Sequence, residues 1–200
     1  MRTLGVLAVL GLALAGCDQA AERAPAHPAT TAASPAASQQ AAPPPALPRG
    51  KAIVDADGVR FDQTGGKTAR FALGTPRGRL EPVATRIFGT PATSANSECG
   101  AGPLTFSRFG GLTLNYKDDR LVGWFAEEGA QVVTSDGIAP GKLMRDLKVA
   151  RSARLVPEST LEGEFEYVAA DGLPIGGFVK GTGRDAKIVS LHAGVNCFFR

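Results

Sequence analysis

The chain has 200 residues, 44% of them hydrophobic and 20% charged, with 22 Lys and Arg against 19 Asp and Glu. A formal charge of +3 is too small for the electrostatic footprint of a nucleic-acid binder. All ten Phe, both Tyr and Trp124 lie between residues 61 and 199. One folded domain of about 150 residues is expected there, long enough to bury roughly 68–70% of its unfolded surface.

Arg2 supplies the one positive charge of a short leading segment, and residues 4–16 (LGVLAVLGLALAG) carry no polar side chain. That apolar run is 13 residues long. A membrane span needs about 20, whereas the apolar part of a secretory signal needs about 7–15. Leu14-Ala15-Gly16-Cys17 closes the run. These four residues resemble the lipobox of bacterial lipoproteins. The resemblance implies cleavage between Gly16 and Cys17, a diacylglycerol-derived group on the Cys17 thiol, and acylation of the new amine, as by palmitate. A single acyl chain binds a bilayer only marginally, on the order of 10⁴ M⁻¹, and two or three exceed that limit. The implied address is the bacterial cell envelope, lipid-anchored, on the periplasmic or outer-surface side. Asp18 looks like an inner-membrane retention signal of enteric bacteria, a rule that varies between bacterial groups, so inner and outer membrane both stay open.

Residues 18–50 hold twelve alanines and seven prolines, no aromatic residue, and Leu47 as the one large aliphatic. Such a segment buries too little apolar surface to offset its ordering entropy, and the prolines interrupt any alanine helix. It reads as a disordered, semi-extended tether with a reach of roughly 100 Å at about 3.1 Å per residue. His27 lies within it and is expected to be exposed. The resulting division is a signal at 1–16, lipidated Cys17 and tether at 17–50, and a globular domain at 51–200.

With Cys17 assigned to lipid, Cys99 and Cys197 remain. In an oxidising compartment an even pair reads as a disulfide. The alternatives are two buried thiols or a two-cysteine metal site, though no histidine lies at ligand spacing near Cys99.

The domain opens with strand and turn signals. Ala52-Ile53-Val54 leads to Asp57-Gly58, residues 59–61 alternate, Gly65-Gly66 turns the chain, and residues 67–71 alternate again. This predicts a hairpin at 51–72. Thr75 is placed to cap a helix, Pro76 suits its first turn, and Leu80, Val83 and Ile87 share a face. Pro82 is expected to split this helix into a short turn and a second helix. Gly89 then Pro91 is a stop signal. Residues 104–109, 112–116 and 120–125 read as an antiparallel meander, turning at Gly110-Gly111 and Lys117-Asp118-Asp119.

The pattern then recurs at an offset of 67 residues. Asp118 to Trp124 aligns with Asp185 to Leu191, Gly74 with Gly141, Leu80 with Leu147, and Gly110 with Gly177. Two tandem helix-then-antiparallel-meander units follow, at 69–130 and 136–200. With helices on one face of the sheet, and the hairpin in front, the class is α+β.

Gly74-Thr75-Pro76 leading into Phe88-Gly89-Thr90-Pro91 resembles the G-[MT]-[ST]…[LF]-G-x-P pattern of small outer-membrane lipoproteins of the BamE (SmpA/OmlA) type. Tandem copies of that unit are similar to the β-lactamase inhibitor protein fold. The second copy departs from the pattern, with Val156-Pro157 at the positions of Gly89-Thr90. The resemblance implies a non-catalytic scaffold or binding domain and transfers no functional residue.

Signs of chemistry are few. No G-x-S-x-G elbow or H-E-x-x-H occurs, and Gly181-Thr182-Gly183 reads as a hairpin tip. His192, on the predicted last strand, has no partner at fixed spacing and reads as structural. Glu162, Glu164 and Glu166 are expected on one solvated strand face. Lys142, Arg145, Lys148, Arg151 and Arg154 recur every third residue and spread over one side of a helix, a surface for anionic lipid head groups or for ordinary solvation. Of Trp124 and Phe125, adjacent on a strand, one points in and one out, and an exposed one would be a binding anchor. The candidate partner contacts are therefore Trp124, Lys142, Arg145, Lys148 and Arg151. The sequence favours a non-enzymatic lipoprotein that needs no cofactor or metal, reaches the bilayer through Cys17 and binds another envelope protein. The alternative is a small cell-envelope hydrolase or ligand-binding lipoprotein.

Overall fold

The computed structural model describes residues 52–62, 66–150 and 152–198. Gly16, Cys17, the Ala/Pro-rich segment and Arg151 lie outside the described residues. The chain begins with β1 (Ala52–Asp55), β2 (Gly58–Asp62) and β3 (Thr68–Ala72). The first unit follows as α1 (Arg77–Phe88), β4 (Ala92–Asn96), β5 (Leu104–Phe109), β6 (Leu112–Lys117) and β7 (Arg120–Glu127). After β8 (Val132–Val133) comes the second unit, α2 (Met144–Ala150), β9 (Arg154–Leu155), β10 (Glu164–Val168), β11 (Pro174–Lys180) and β12 (Lys187–Gly194). The fold is thus the expected α+β class, two tandem helix-then-meander units behind a hairpin.

One eight-stranded sheet runs β4-β5-β6-β7-β12-β11-β10-β9, so the units join edge to edge through antiparallel β7 and β12. The 67-residue offset is written into the backbone hydrogen bonds that dock each helix start on its last strand. The Gly74 N–H donates to Leu121 O at 2.6 Å and the Gly141 N–H to Ile188 O at 2.7 Å. Leu121 N–H donates to Thr75 O at 2.9 Å, and Ile188 N–H to Lys142 O at 2.8 Å. Arg77 N–H reaches Asp119 O and Met144 N–H reaches Ala186 O, both at 2.7 Å. Gly74 and Gly141 have φ of 88° and 96°, left-handed backbone that favours glycine at both places.

Other parts of the expected repeat are corrected. Gly110 sits in the β5–β6 turn while Gly177 is inside β11, opposite Phe165. A two-residue connection in unit one is replaced by five residues between β10 and β11, which shifts the strands out of the fixed offset. Pro82 does not split α1, which runs unbroken around it. Its missing N–H removes one bond, to the carbonyl of Gly78, and its ring stands in solvent while Leu80 and Ala84 anchor the buried side. Thr75 provides no side-chain cap; the cap position is Pro76, and the Asp119 carbonyl satisfies the first helical N–H. The helix ends before Gly89, as expected, with φ 91°.

A second sheet, β3-β2-β1-β8, contains the hairpin and adds β8 parallel to β1. It packs on the helix side of the large sheet. Trp124, fully buried, is in register with Leu114 and, through it, with Ser107 beneath α1, and its Nε1 donates to Asp55 O in β1 at 2.8 Å. Leu80, Leu147, Leu114, Phe165 and Phe61 belong to the same buried cluster. Among the described residues the opposite face of the large sheet carries no helix and no second sheet.

Candidate functional site

Strand alternation and register define that open face. One row crosses all eight strands: Ala92, Arg108, Thr113, Phe125, His192, Gly176, Glu166 and Arg154. Phe125 and His192 are register partners and are also 67 residues apart, so the pseudo-two-fold axis relating the units passes between them. Their rings stack at 6.4 Å with 16° between planes. Phe178 lies 5.6 Å from His192, and Phe198 closes the group 4.8 Å from His192, 5.3 Å from Phe178 and 5.9 Å from Phe125. Gly176 leaves room for this packing, since a Cβ there would lie 2.5 Å from the His192 ring in its present position. All four rings are half-buried.

Phe198 reaches the group because the chain after β12 folds back over unit one. The Cys99–Cys197 disulfide, closed at 2.06 Å, ties this strap to the loop after β4. Buried Asn115 donates through Nδ2 to Val195 O and to Asn196 Oδ1, both at 2.8 Å. Gly123 makes room beneath it, since a Cβ would lie 2.3 Å from Val195 O. Beside the strap is a cavity of about 290 Å³ lined by Asn96, Phe106, Thr113, Asn115, Phe125 and Phe198. A depression of about 560 Å³ continues past Phe125, Glu127, Phe178 and Ser190. The pattern is an aromatic centre with polar margins.

A second cluster lies under α1. Arg77 Nε donates to Glu81 Oε2 at 2.5 Å, Arg77 Nη2 to Ser107 Oγ at 3.1 Å, and Ser107 Oγ to Glu81 Oε2 at 2.6 Å. The guanidinium sits 5.0 Å above the buried Tyr116 ring. Burial opposes ionisation of Glu81, but the hydrogen bonds from Arg77 and Ser107 and the Arg77 charge outweigh it and hold its carboxyl below the ordinary 4.5. The hydrogen bond to Glu81 raises Arg77, and burial raises the Tyr116 phenol. Pro76, Arg77, Glu81, Pro82 and Arg86 line a groove of about 720 Å³ on the outside of α1. Ser107 is fully buried and its hydroxyl is occupied by an ion pair, with His192 on the opposite face of the sheet. The arrangement holds charge in place and presents no accessible nucleophile with a base.

The sequence-derived candidates scatter. Cys99 and Cys197 are joined. Trp124 is corrected: it is fully buried against β1 and unavailable to a partner, and Phe125 is the outward member of the pair. The basic residues do not form one helix side, because α2 has only seven residues; Lys142 precedes it and Arg154 is on β9. Arg145 pairs with Asp185 at 2.5 Å and Arg154 with Glu166 at 2.6 Å. Lys148 lies on α2, and Arg151 is outside the described residues. The glutamates separate as well. Glu162 is in the turn before β10, Glu164 is buried and accepts from the Ser159 hydroxyl, and Glu166 takes Arg154. Phe106, Phe178, Phe198 and Asn115 carry no signal in the sequence, since strand alternation alone does not say which face is covered. Arg77 and Glu81 were not singled out from the sequence either, although their spacing of four is the signal of a helical ion pair. Among the described residues no group of three or more His, Cys, Asp or Glu is placed to hold a metal. No protein-family profile, curated protein or solved structure matches this chain.

Proposed function

We propose that this chain is a lipid-anchored, extracytoplasmic lipoprotein that binds another cell-envelope protein through the open face of its large sheet and catalyses no reaction. The observation that carries the reading is the aromatic group of Phe125, Phe178, His192 and Phe198 on the sheet face that, among the described residues, no helix covers. Half-buried aromatic side chains centred on an otherwise polar surface are what hot spots are made of. The lipobox at Leu14 to Cys17 supplies the anchor, and the Ala/Pro-rich residues 18–50 supply a spacer to the membrane. The likeness of Gly74-Thr75-Pro76 and Phe88 to Pro91 to BamE-type lipoproteins, and of the tandem units to the β-lactamase inhibitor protein fold, supports a binding module.

The test places a photo-crosslinking amino acid at Phe178 in one strain and at Arg79, on the exposed side of α1, in another. A discrete crosslinked protein from position 178, absent from position 79, is expected. Crosslinks from position 79 alone, or none from either across growth conditions, would overturn the reading.

A further inference from the structure

Among the described residues the two sheets end in four edges, and three of them are blunted. β9 is only two residues long, and one of them is the charged Arg154, paired with Glu166. β8 is two buried residues. β3 carries exposed Arg70, paired with Asp57. β4 is different. Its sequence is Ala-Thr-Ser-Ala-Asn, five residues without charge or proline, and the first four are exposed. Among the described residues, Ala92 to Ala95 form hydrogen bonds only with β5. Their outward N–H and C=O groups form a row about 14 Å long at about 3.4 Å per residue. An edge of this kind is a template for strand addition, and natural sheets ordinarily guard it with charge, proline or a bulge.

The open face continues from this edge. Ser94 is in register with Phe106, one wall of the 290 Å³ cavity, and Asn96 of the same strand is another. Ser94 is the small residue between the edge and that cavity. A strand added at β4 would place a side chain opposite Ser94, about 4.8 Å away, able to pass over the serine to the Phe106 ring. Ala92, facing the same way two residues earlier, is no obstacle either.

We propose that β4 is the docking edge for an extended segment of the partner protein, which adds as a ninth strand and sends an aromatic or long aliphatic side chain over Ser94 toward Phe106. The inference rests on the open face being the binding side, and names the class of partner that face takes. Main-chain bonds along β4 supply affinity and the cavity supplies selectivity, the division of labour in strand-addition complexes. A second copy of this chain is the poorer occupant. Two five-residue edges paired alone bury far less than the roughly 1,200 Å² of a stable interface, whereas a peptide continues onto the face.

The test uses the full-length lipidated protein in detergent and a synthetic peptide, Lys-Thr-Val-Thr-Phe-Thr-Val-Thr-Lys, read by fluorescence anisotropy and by hydrogen exchange with mass spectrometry. Binding is expected, with amide exchange in residues 92–96 slowed at least tenfold. A peptide N-methylated through its five central residues should bind at least tenfold more weakly, and so should one with Ala for Phe. Of Thr93→Pro and Ser94→Pro, one removes an outward N–H and spares the bonds to β5. That variant should keep the wild-type melting curve and lose peptide affinity tenfold or more. Slowing confined to residues 123–127 and 187–194 would sink the edge while leaving the aromatic face as the binding side. Absence of binding at millimolar peptide would also overturn the proposal. Protection of residues 92–96 by self-association without peptide would overturn it too, making a second copy the occupant.

Discussion

At the scale of single residues, two arrangements have measurable consequences. Glu81 accepts from both Arg77 and Ser107, and these interactions hold its carboxyl below the ordinary 4.5. A carboxyl depressed in the folded state stabilises the fold fully above its unfolded value. That contribution is lost as pH falls through the folded value. Glu81→Gln should therefore cost about 1–3 kcal/mol at neutral pH, because Arg77 is left partly buried beside an uncharged acceptor. Thermal melts of wild type and variant should converge as pH drops below 4.5. A difference that persists unchanged to low pH would contradict the assigned network. At Trp124, replacement by Phe keeps most of the buried ring but removes the donor to Asp55 O. A loss of about 1–2 kcal/mol in denaturant melts is expected, since the carbonyl is left without that partner.

Elements obey the same logic on a larger scale. Helix α1 keeps Pro82 in its interior at the cost of one hydrogen bond to Gly78. Pro82→Ala should restore it and raise stability by about 1–3 kcal/mol, with the helical signal in circular dichroism unchanged in shape. The C-terminal strap is held by the Cys99–Cys197 disulfide, by Asn115, and by Phe198 against His192. Reduction, or Cys197→Ser with Cys99→Ser, removes a cross-link spanning 98 residues. About 4–5 kcal/mol is the expected loss from loop closure alone. Binding of an apolar dye should rise in parallel, as Phe125 and Phe178 lose the cover of Phe198. A melting temperature insensitive to reductant would argue against this role.

For the whole molecule, the two units form a single surface because their last strands pair about an axis between Phe125 and His192. The symmetry is incomplete, and its breaks matter. The strap covers unit one's half of the open face, and β9 is shorter than its counterpart β4. Under α1 the buried position on the second strand from the edge is Ser107, bonded to charge, whereas Phe165 occupies the matching place in unit two. Among the described residues one face thus lies open beyond the strap, and the other is sealed by helices and the small sheet. On the proposed function, Cys17→Ser should move the protein from the membrane to the soluble fraction and abolish labelling by radioactive palmitate. Unchanged partitioning, with no label in the wild type, would remove the anchor from the proposal.

The sequence by itself determined what depends on neighbours along the chain. The strands at 104–109 and around 112 and 120, the stop at Gly89, and the 67-residue recurrence all come from alternation, turn residues and positive-φ glycines. It missed β4 because Ala-Thr-Ser-Ala-Asn has no alternation to read, and it over-weighted Pro82 because burial of Leu80 and Ala84 was not visible. Only the tertiary structure decided which side of each strand is covered. Period-two patterning separates two faces but cannot tell which one receives a helix. Packing of the helices and of β1 made Trp124 core, and left Phe125, His192 and Phe178 facing out. The backbone of the last residues, drawn in by Cys99, brought Phe198 to them.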